Sequence, residues 1–472
     1  MVAGLAASVA CTMTGAHRLD EATGLVQSGA ACGMRKPALR GGKIMTSITG
    51  GSRRRFLQGA AAGAGSLLLP PMAHPASTLA FQPAVFEADA ESALVWIAGD
   101  GEGHPVIELA TDEAFASPRR IAVGALDKAT GYLAAHRIEG LVPDRTWYYR
   151  ILDAQGGAVM SRVGRFRTAP VTPRPFSFAF TADMDEAYRP FRLFDQISAR
   201  NPEFFLHLGD TIYADLPRAQ FRPSLAHYRR KHANNRGDAH LQQFLLRHAS
   251  FATWDDHETD NNCHAGHPHM AEGRQVFREF WPCRTVTGDG LYRRFAWAGV
   301  DFFMLDTRSY RSPQTATDDA AKTMLGAAQK QWFMEGLAAS KAPFKFVITA
   351  VPFQGGGGDT WGAYRTERNE IAAQIRNRKT EGVVFLTGDY HLARDWSVPR
   401  AGFREFMAGP IASFVHYMRT PSARDRYEKS GTFHYGDGYN FGMVHVDPVA
   451  RSARVEFVDR EGRTLGEVAF SA

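Results

Sequence analysis

From residue 176 onward, short apolar runs end on acidic motifs, and this pattern constrains the fold more than any other feature. The runs at 176–180, 204–208, 300–305, 344–349 and 383–386 are rich in Phe, Val, Ile and Leu. Their length and content predict buried β-strands. Amphipathic helical patterns fall between them, at 324–341 and 367–379. Strands alternating with helices predict a layered α/β domain, which we take to span 171–472.

The run ends carry the chemistry. Asp183 and Asp185 follow the first run, and Gly209-Asp210-Thr211-Ile212-Tyr213 follows the second. Trp254-Asp255-Asp256-His257-Glu258 follows another short apolar stretch, and Gly388-Asp389-Tyr390-His391 follows 383–386. Ligands of open α/β sheets gather outside the carboxyl ends of strands. Carboxylates converging there would repel one another, and no motif contains a lysine to neutralise them. Bound cations are the natural remedy. Asp, His and a Tyr at Asp-x-x-Tyr spacing suit hard or borderline ions, and a Tyr213 phenolate suits ferric iron. Two adjacent ions would hold a phosphoryl group between them and activate a water. His257 would then protonate the leaving oxygen. Singly, each motif also reads as plain structure: a Gly-Asp turn, a packed Tyr213, an Asp255/Asp256 cap, a core His391. Four such clusters in one domain argue against coincidence.

Upstream, residues 79–170 show short β-type runs separated by turn signals, including 93–97, 106–110 and an aromatic run near 146–150. This predicts a small β-sandwich with a fibronectin III-like strand pair, serving as scaffold. Val171-Thr172-Pro173-Arg174-Pro175 is the linker.

Composition matters at the N-terminus. The 472 residues carry a formal charge of +6, with 44% hydrophobic and 22% charged residues, which excludes a disordered chain or a coiled-coil rod. Residues 1–76 hold eight basic and two acidic residues, so the whole excess sits there. The excess is therefore no nucleic-acid footprint, and no interleaved aromatic and basic pattern specifies nucleic acid. Ser52-Arg53-Arg54-Arg55-Phe56-Leu57, then a Gly/Ala-rich run and Pro70-Pro71, resembles a bacterial twin-arginine signal. Residues 45–78 are read as that signal, with Met45 as the start and 1–44 as an over-extended N-terminus. No stretch is long and apolar enough for a stable membrane span. Of four cysteines, Cys11 and Cys32 fall in the extension. Cys263 and Cys283 are left open between a disulfide and free thiols.

The order Gly-Asp-x-x-Tyr, then Trp-Asp-Asp-His-Glu with Asp260-Asn261-Asn262, then Gly-Asp-x-His resembles the alkaline phosphatase D (PhoD-like) family of calcineurin-like metallophosphatases. Leu305-Asp306-Thr307-Arg308-Ser309-Tyr310-Arg311 and Glu405-Phe406-Met407-Ala408-Gly409-Pro410 support it. The resemblance implies a four-layer αββα sandwich behind the β-sandwich, and a secreted or periplasmic monomer delivered by the twin-arginine export machinery. It implies hydrolysis of small phosphomonoesters or phosphodiesters with two or more metal ions, iron plus calcium favoured over other divalent pairs. Carried over by motif, Asp183, Asp210, Tyr213, Asp256, Asp389 and His391 would be metal ligands, with Asp185 as an additional one. His257 would be the catalytic proton donor, and Asn262 and Arg308 would contact substrate or support the site. One position departs: the family's usual cysteine ligand is replaced by Asp183. The departure brings purple acid phosphatases into view, but those carry Gly-Asn-His-Glu where this chain has Trp-Asp-Asp-His-Glu. A catalytically inactive, metal-stabilised binding protein is the reading from a different class.

Overall fold

The computed structural model describes residues 78–284, 290–355, 357–397, 402–415 and 433–472. The extension and all but the last residue of the export signal lie outside them.

Two large sheets face each other. The first has nine strands, ordered Thr464–Ser471, Ser452–Asp459, Asn440–Asp447, Phe176–Thr181, Phe204–His207, Ala249–Ala252, Ala84–Phe86, Ser92–Ala98 and Leu133–Glu139. The second has seven, ordered Arg293–Trp297, Val300–Met304, Lys345–Ile348, Val383–Thr387, Arg404–Met407, Ala393–Asp395 and His434–Tyr435. Phe176–Thr181, Phe204–His207 and Ala249–Ala252 run parallel, as do Val300–Met304, Lys345–Ile348, Val383–Thr387 and Arg404–Met407.

Side chains alternate across each strand, so each sheet has two apolar faces to bury. Phe178, Phe180, Phe204 and Leu206 point between the sheets and meet Phe302, Phe346 and Leu386. Phe178 stacks on Phe204 at 5.0 Å and meets Phe302 and Phe346 edge-on at 5.3 and 5.1 Å. Truncating such a residue costs about 3–5 kcal/mol. Ala179 and Phe205 point the other way, against helices Leu193–Ala199, Leu225–Arg236, Ala239–Leu245 and Met270–Phe280. Phe303, Val347 and Phe385 pack under Gly326–Ala339 and Arg365–Asn377. The layers are therefore α, β, β, α, as the resemblance implied.

The N-terminal segment is a two-layer arrangement, but one layer is not its own. Ala84–Phe86, Ser92–Ala98 and Leu133–Glu139 extend the first large sheet, with Phe86 pairing in parallel with Ser250. The other layer is a four-stranded sheet of Arg119–Ala122, Val106–Ala110, Thr146–Leu152 and Gly164–Arg167. Val85, Val95 and Ile97 meet Ile107, Tyr149 and Phe166 between them. A buried ion pair at 2.7 Å, Glu87 to Arg293, ties this segment to the second large sheet. No helix among the described residues is long and apolar enough to cross a membrane.

Candidate metal centre

The acidic motifs meet because their strands are neighbours. Phe176–Thr181, Phe204–His207 and Ala249–Ala252 sit side by side in one sheet and deliver Asp183, Asp210 and the 255–257 turn. Val383–Thr387 brings Asp389 and His391 from the facing sheet. The backbone turns sharply at each exit: Asp183, Asp210, Asp389 and His391 have φ of 64, 53, 72 and 53°. This left-handed region is strained for non-glycine residues and persists where function needs the side chain aimed. Two glycines let the chains approach. A Cβ on Gly209, at φ 120°, would lie 2.8 Å from Asp255 Cβ, and one on Gly409, at φ 146°, would lie 2.5 Å from Asp183 Oδ2.

Among the described residues, three acidic or mixed groups have one potential ligand atom each within 4.8 Å of one another: Asp183–Asp210–His391, Asp210–Asp256–His257 and Asp255–Asp256–Asp359. The first two share Asp210. The third is already neutralised. Arg308, fully buried, places Nε 2.6 Å from Asp255 and Nη2 2.6 Å from Asp359, and Arg311 reaches Asp359 at 3.0 Å. Asp359 carried no sequence signal, since it follows a glycine run rather than a strand.

Among the described residues, the first group has no such cation. Both oxygens of Asp183 and Oδ2 of Asp389 are buried without a hydrogen-bond partner. Burial, then the charge of Asp255, pushes the Asp183 carboxyl well above its ordinary range. Burial and Asp256 do the same to Asp210, and burial and Asp255 to Asp389. Burial also lifts Asp255, to about 7, against the opposing pull of Arg308. Asp256 goes the other way: burial would raise it, but Arg308, His257 and the Asn262 amide together hold it low.

His391 is oriented as a ligand. Its Nδ1 lies 2.5 Å from the Phe414 carbonyl, which can only accept, so Nδ1 carries the proton in the neutral ring. The Nε2 lone pair then faces the Tyr213 hydroxyl at 2.8 Å and Asp183 at 3.8 Å. A carbonyl behind a ligating imidazole is the usual way to fix its tautomer. Tyr213 is buried, and its ring stacks on His257 at 4.2 Å.

His257 has a partner that sequence reading missed. Its Nδ1 is 2.6 Å from Oδ1 of buried Asp215. Burial disfavours the imidazolium, but Asp256 and Asp215 outweigh it and push the ring up to about 9. Asp215 stands in no motif, so only its contact reveals it.

Arg308, Asn262 and Asp185 flank the two groups that share Asp210. Arg308 is buried with no exposure and pairs with Asp255 and Asp359, the geometry of the supporting role among its two expected ones. The Asn262 backbone amide donates to Asp256 at 2.5 Å. Asp185 caps a short turn, accepting from the Ala187 amide at 3.0 Å, and joins none of the three groups. Cys263 and Cys283 are free thiols.

The donor set fits metal ions. Oxygen-rich, with one neutral imidazole and one phenol, it matches hard or borderline cations, and its unpartnered oxygens need positive charge.

Comparison with known proteins agrees with this chemistry. The PhoD-like phosphatase family matches residues 178–457, and the PhoD-like phosphatase N-terminal domain matches 85–170. Alkaline phosphatase D of Bacillus subtilis (strain 168) is 28% identical over 348 residues, 60% of this chain. The match spans 57% of that relative's length. A solved structure of PhoD superposes with a TM-score of 0.74 at 22% identity, covering 85% of this chain and 90% of that one. A purple acid phosphatase from yellow lupin (Lupinus luteus) seeds superposes with a TM-score of 0.59 at 13% identity, covering 82% and 74%. These two structures speak to the fold alone.

Proposed function

The chain belongs to the PhoD-like phosphatase family, and on that premise we propose that it is a metal-dependent phosphoesterase hydrolysing small phosphomonoesters, phosphodiesters or both. The observation that carries the proposal is the uncompensated charge at the first strand end. Among the described residues, Asp183 has both oxygens buried and unpartnered, and Asp389 has one, while His391 turns a lone pair toward Asp183. Such a site is unstable without cations and well built with them.

In this reading Asp183, Asp210, Tyr213, Asp256, Asp389 and His391 hold the ions. Iron with calcium is favoured by the phenol and the oxygen-rich set. Ions bound there supply Lewis-acid polarisation of a phosphoryl oxygen and lower the pKa of a water. The protein's own groups do the rest. His257 gives a proton to the leaving oxygen, with buried Asp215 on its Nδ1 favouring the charged ring. Asp215 fixes the ring's orientation through Nδ1. Arg308 holds Asp255 and Asp359 in place and offsets part of their charge.

The layout proposed with it is a signal over 45–78, a β-sandwich over 79–170 and a catalytic domain over 171–472. The protein would be exported by the twin-arginine machinery and act as a monomer in the periplasm or outside the cell.

The test is turnover of an aryl phosphate and a bis-aryl phosphodiester by purified protein, with and without chelator, alongside metal analysis. Chelator-sensitive turnover of at least one substrate supports the proposal. Tight metal binding with neither substrate hydrolysed across the alkaline range rejects it in favour of a binding protein.

A further inference from the structure

At the opposite ends of the same strands lies a cleft that the reaction does not use. It measures about 1070 Å³ and opens where Phe176–Thr181, Phe204–His207 and Ala249–Ala252 begin. At about 3.3 Å of rise per residue, it stands roughly 15–20 Å from the metal-facing ends. Gly164–Arg167 of the small sheet forms one wall, and Asn440–Asp447 with Ser452–Asp459 forms another.

Its charges are unevenly committed. Of the two acids on the lining, Glu203 is paired with a cation and, among the described residues, Asp447 bonds only to amides of its own turn. Glu203 accepts two bonds from Arg174, at 2.6 and 2.9 Å, and one from Trp297 at 3.1 Å. Asp447 accepts the amides of Val449 and Ala450, at 3.0 and 2.8 Å. Two lining cations, Arg167 and Arg454, are paired with Asp144 and Glu467. Arg165 and Arg247 are not. Arg165 makes a single side-chain bond, 3.2 Å to the neutral Asn201, and Arg247 makes none among the described residues. The two are held together by backbone: the Arg165 amide donates to the Leu246 carbonyl at 3.0 Å, one residue before Arg247. All three line the cleft, and the buried His248 ring donates from Nδ1 to the Pro202 carbonyl at 3.2 Å.

We propose that this cleft is a second anion site, binding a free oxyanion of the phosphate class on Arg165 and Arg247. Guanidinium pairs suit tetrahedral oxyanions, to which each offers a planar fork of donors. A concave wall focuses their field, with Asp447 the single lining carboxylate that has no cation beside it among the described residues. The cleft is large enough to admit phosphate with part of an organic group attached. It shares no residue with the metal centre, so it stands whether or not the chain hydrolyses phosphoesters.

The experiment is equilibrium dialysis of the metal-loaded protein against labelled inorganic phosphate, repeated with chelator and at two salt concentrations. A chelator-insensitive, salt-sensitive phosphate site is expected. In R165Q/R247Q that site should weaken at least tenfold, while aryl-phosphate turnover stays within twofold of wild type. Arg247 is exposed, so R247Q alone is the variant to read if the double variant folds poorly, with a smaller loss of the same site. Phosphate binding that vanishes entirely with chelator overturns the proposal, as does a chelator-insensitive site that survives both substitutions. Arg165- and Arg247-dependent binding to phosphatidylglycerol vesicles, with no binding of free phosphate, overturns it in favour of a lipid headgroup.

Discussion

Asp215 stands behind His257, its Oδ1 2.6 Å from the ring Nδ1 and its side chain 1% exposed. A buried carboxylate at that distance fixes the ring's orientation and favours its protonated form. It also separates two roles for His257, which lies close enough to Asp210 and Asp256 to be a ligand.

For that pair we expect Asp215→Asn to lower turnover about 10- to 100-fold, less than the roughly 10²- to 10⁴-fold that a general acid itself contributes. Metal content should not change. The pH profile discriminates: loss of the carboxylate should move the alkaline limb downward, because the imidazolium loses a stabilising charge. In His257→Ala, turnover should fall while metal content stays near normal. Metal loss in that variant would make His257 a ligand.

Metal removal should expose the repulsion among the strand-end carboxylates. In metal-free protein near neutral pH, Asp183→Asn should melt higher than wild type, because one buried, unpartnered charge is gone. With metal the order should reverse. Wild type gains about 2.7 kcal/mol at a hundredfold excess of metal over its Kd, and the variant gains less. Calorimetry with and without chelator reads both. An unchanged order would mean that the carboxylates hold no ion.

Tyr213→Phe should abolish any visible charge-transfer colour of iron-loaded protein, since the phenol is the chromophore's ligand. Colourless wild type with full activity would discard ferric iron.

Arg308 bridges three carboxylates from inside the protein, at no exposure. Arg308→Met leaves Asp255 and Asp359 facing one another with Arg311 as the remaining counter-charge. Breaking a buried pair in this way costs about 3–5 kcal/mol. The denaturation midpoint should drop accordingly in metal-loaded protein. A shift under 1 kcal/mol would contradict the bridging role.

Acid should unfold the metal-loaded protein through its buried histidines. Burial, then the charge of Arg236, holds His207 down at about 3, and burial, then Arg165 and Arg247, holds His248 at about 4. Burial and Arg236 hold His232 well below its ordinary value too. In the unfolded chain these rings titrate near 6.5, so between those values the unfolded state binds more protons. Stability therefore rises with pH, is complete above about 6.5, and is lost as pH falls toward 4 and 3. For His248 alone the loss by pH 4 is on the order of 3 kcal/mol. His248→Gln should flatten that slope in denaturant titrations.

The legible parts of the chain were those where burial dominates. The Phe-rich strands 176–181 and 204–207 and the helices 326–339 and 365–377 follow the expected runs within a few residues. Strands Ser452–Asp459 and Thr464–Ser471 went unread, because charges such as Arg454 and Glu467 pair across their outer face and dilute the apolar signal. Helix Leu225–Arg236 was hidden likewise: its buried face carries Lys231, His232, Asn235 and Arg236. At the site, strand-end motifs announced Asp183, Asp210, Asp256 and His391, which the fold gathers into two triads with His257. Asp215 and Asp359 stayed silent, since a charge supplied by a loop is defined only by what it meets.

The parallel pairing of Phe86 with Ser250 sets an order of assembly. Ala84–Phe86, the first strand among the described residues, can complete its layer only after the whole stretch to Ala252 has been made. Such non-local closure slows folding, and the strands that await it expose apolar edges meanwhile. A version cut at the linker would thus lose more than its N-terminal scaffold. It would leave Ala249–Ala252, the strand that leads into Asp255, Asp256 and His257, as an open sheet edge.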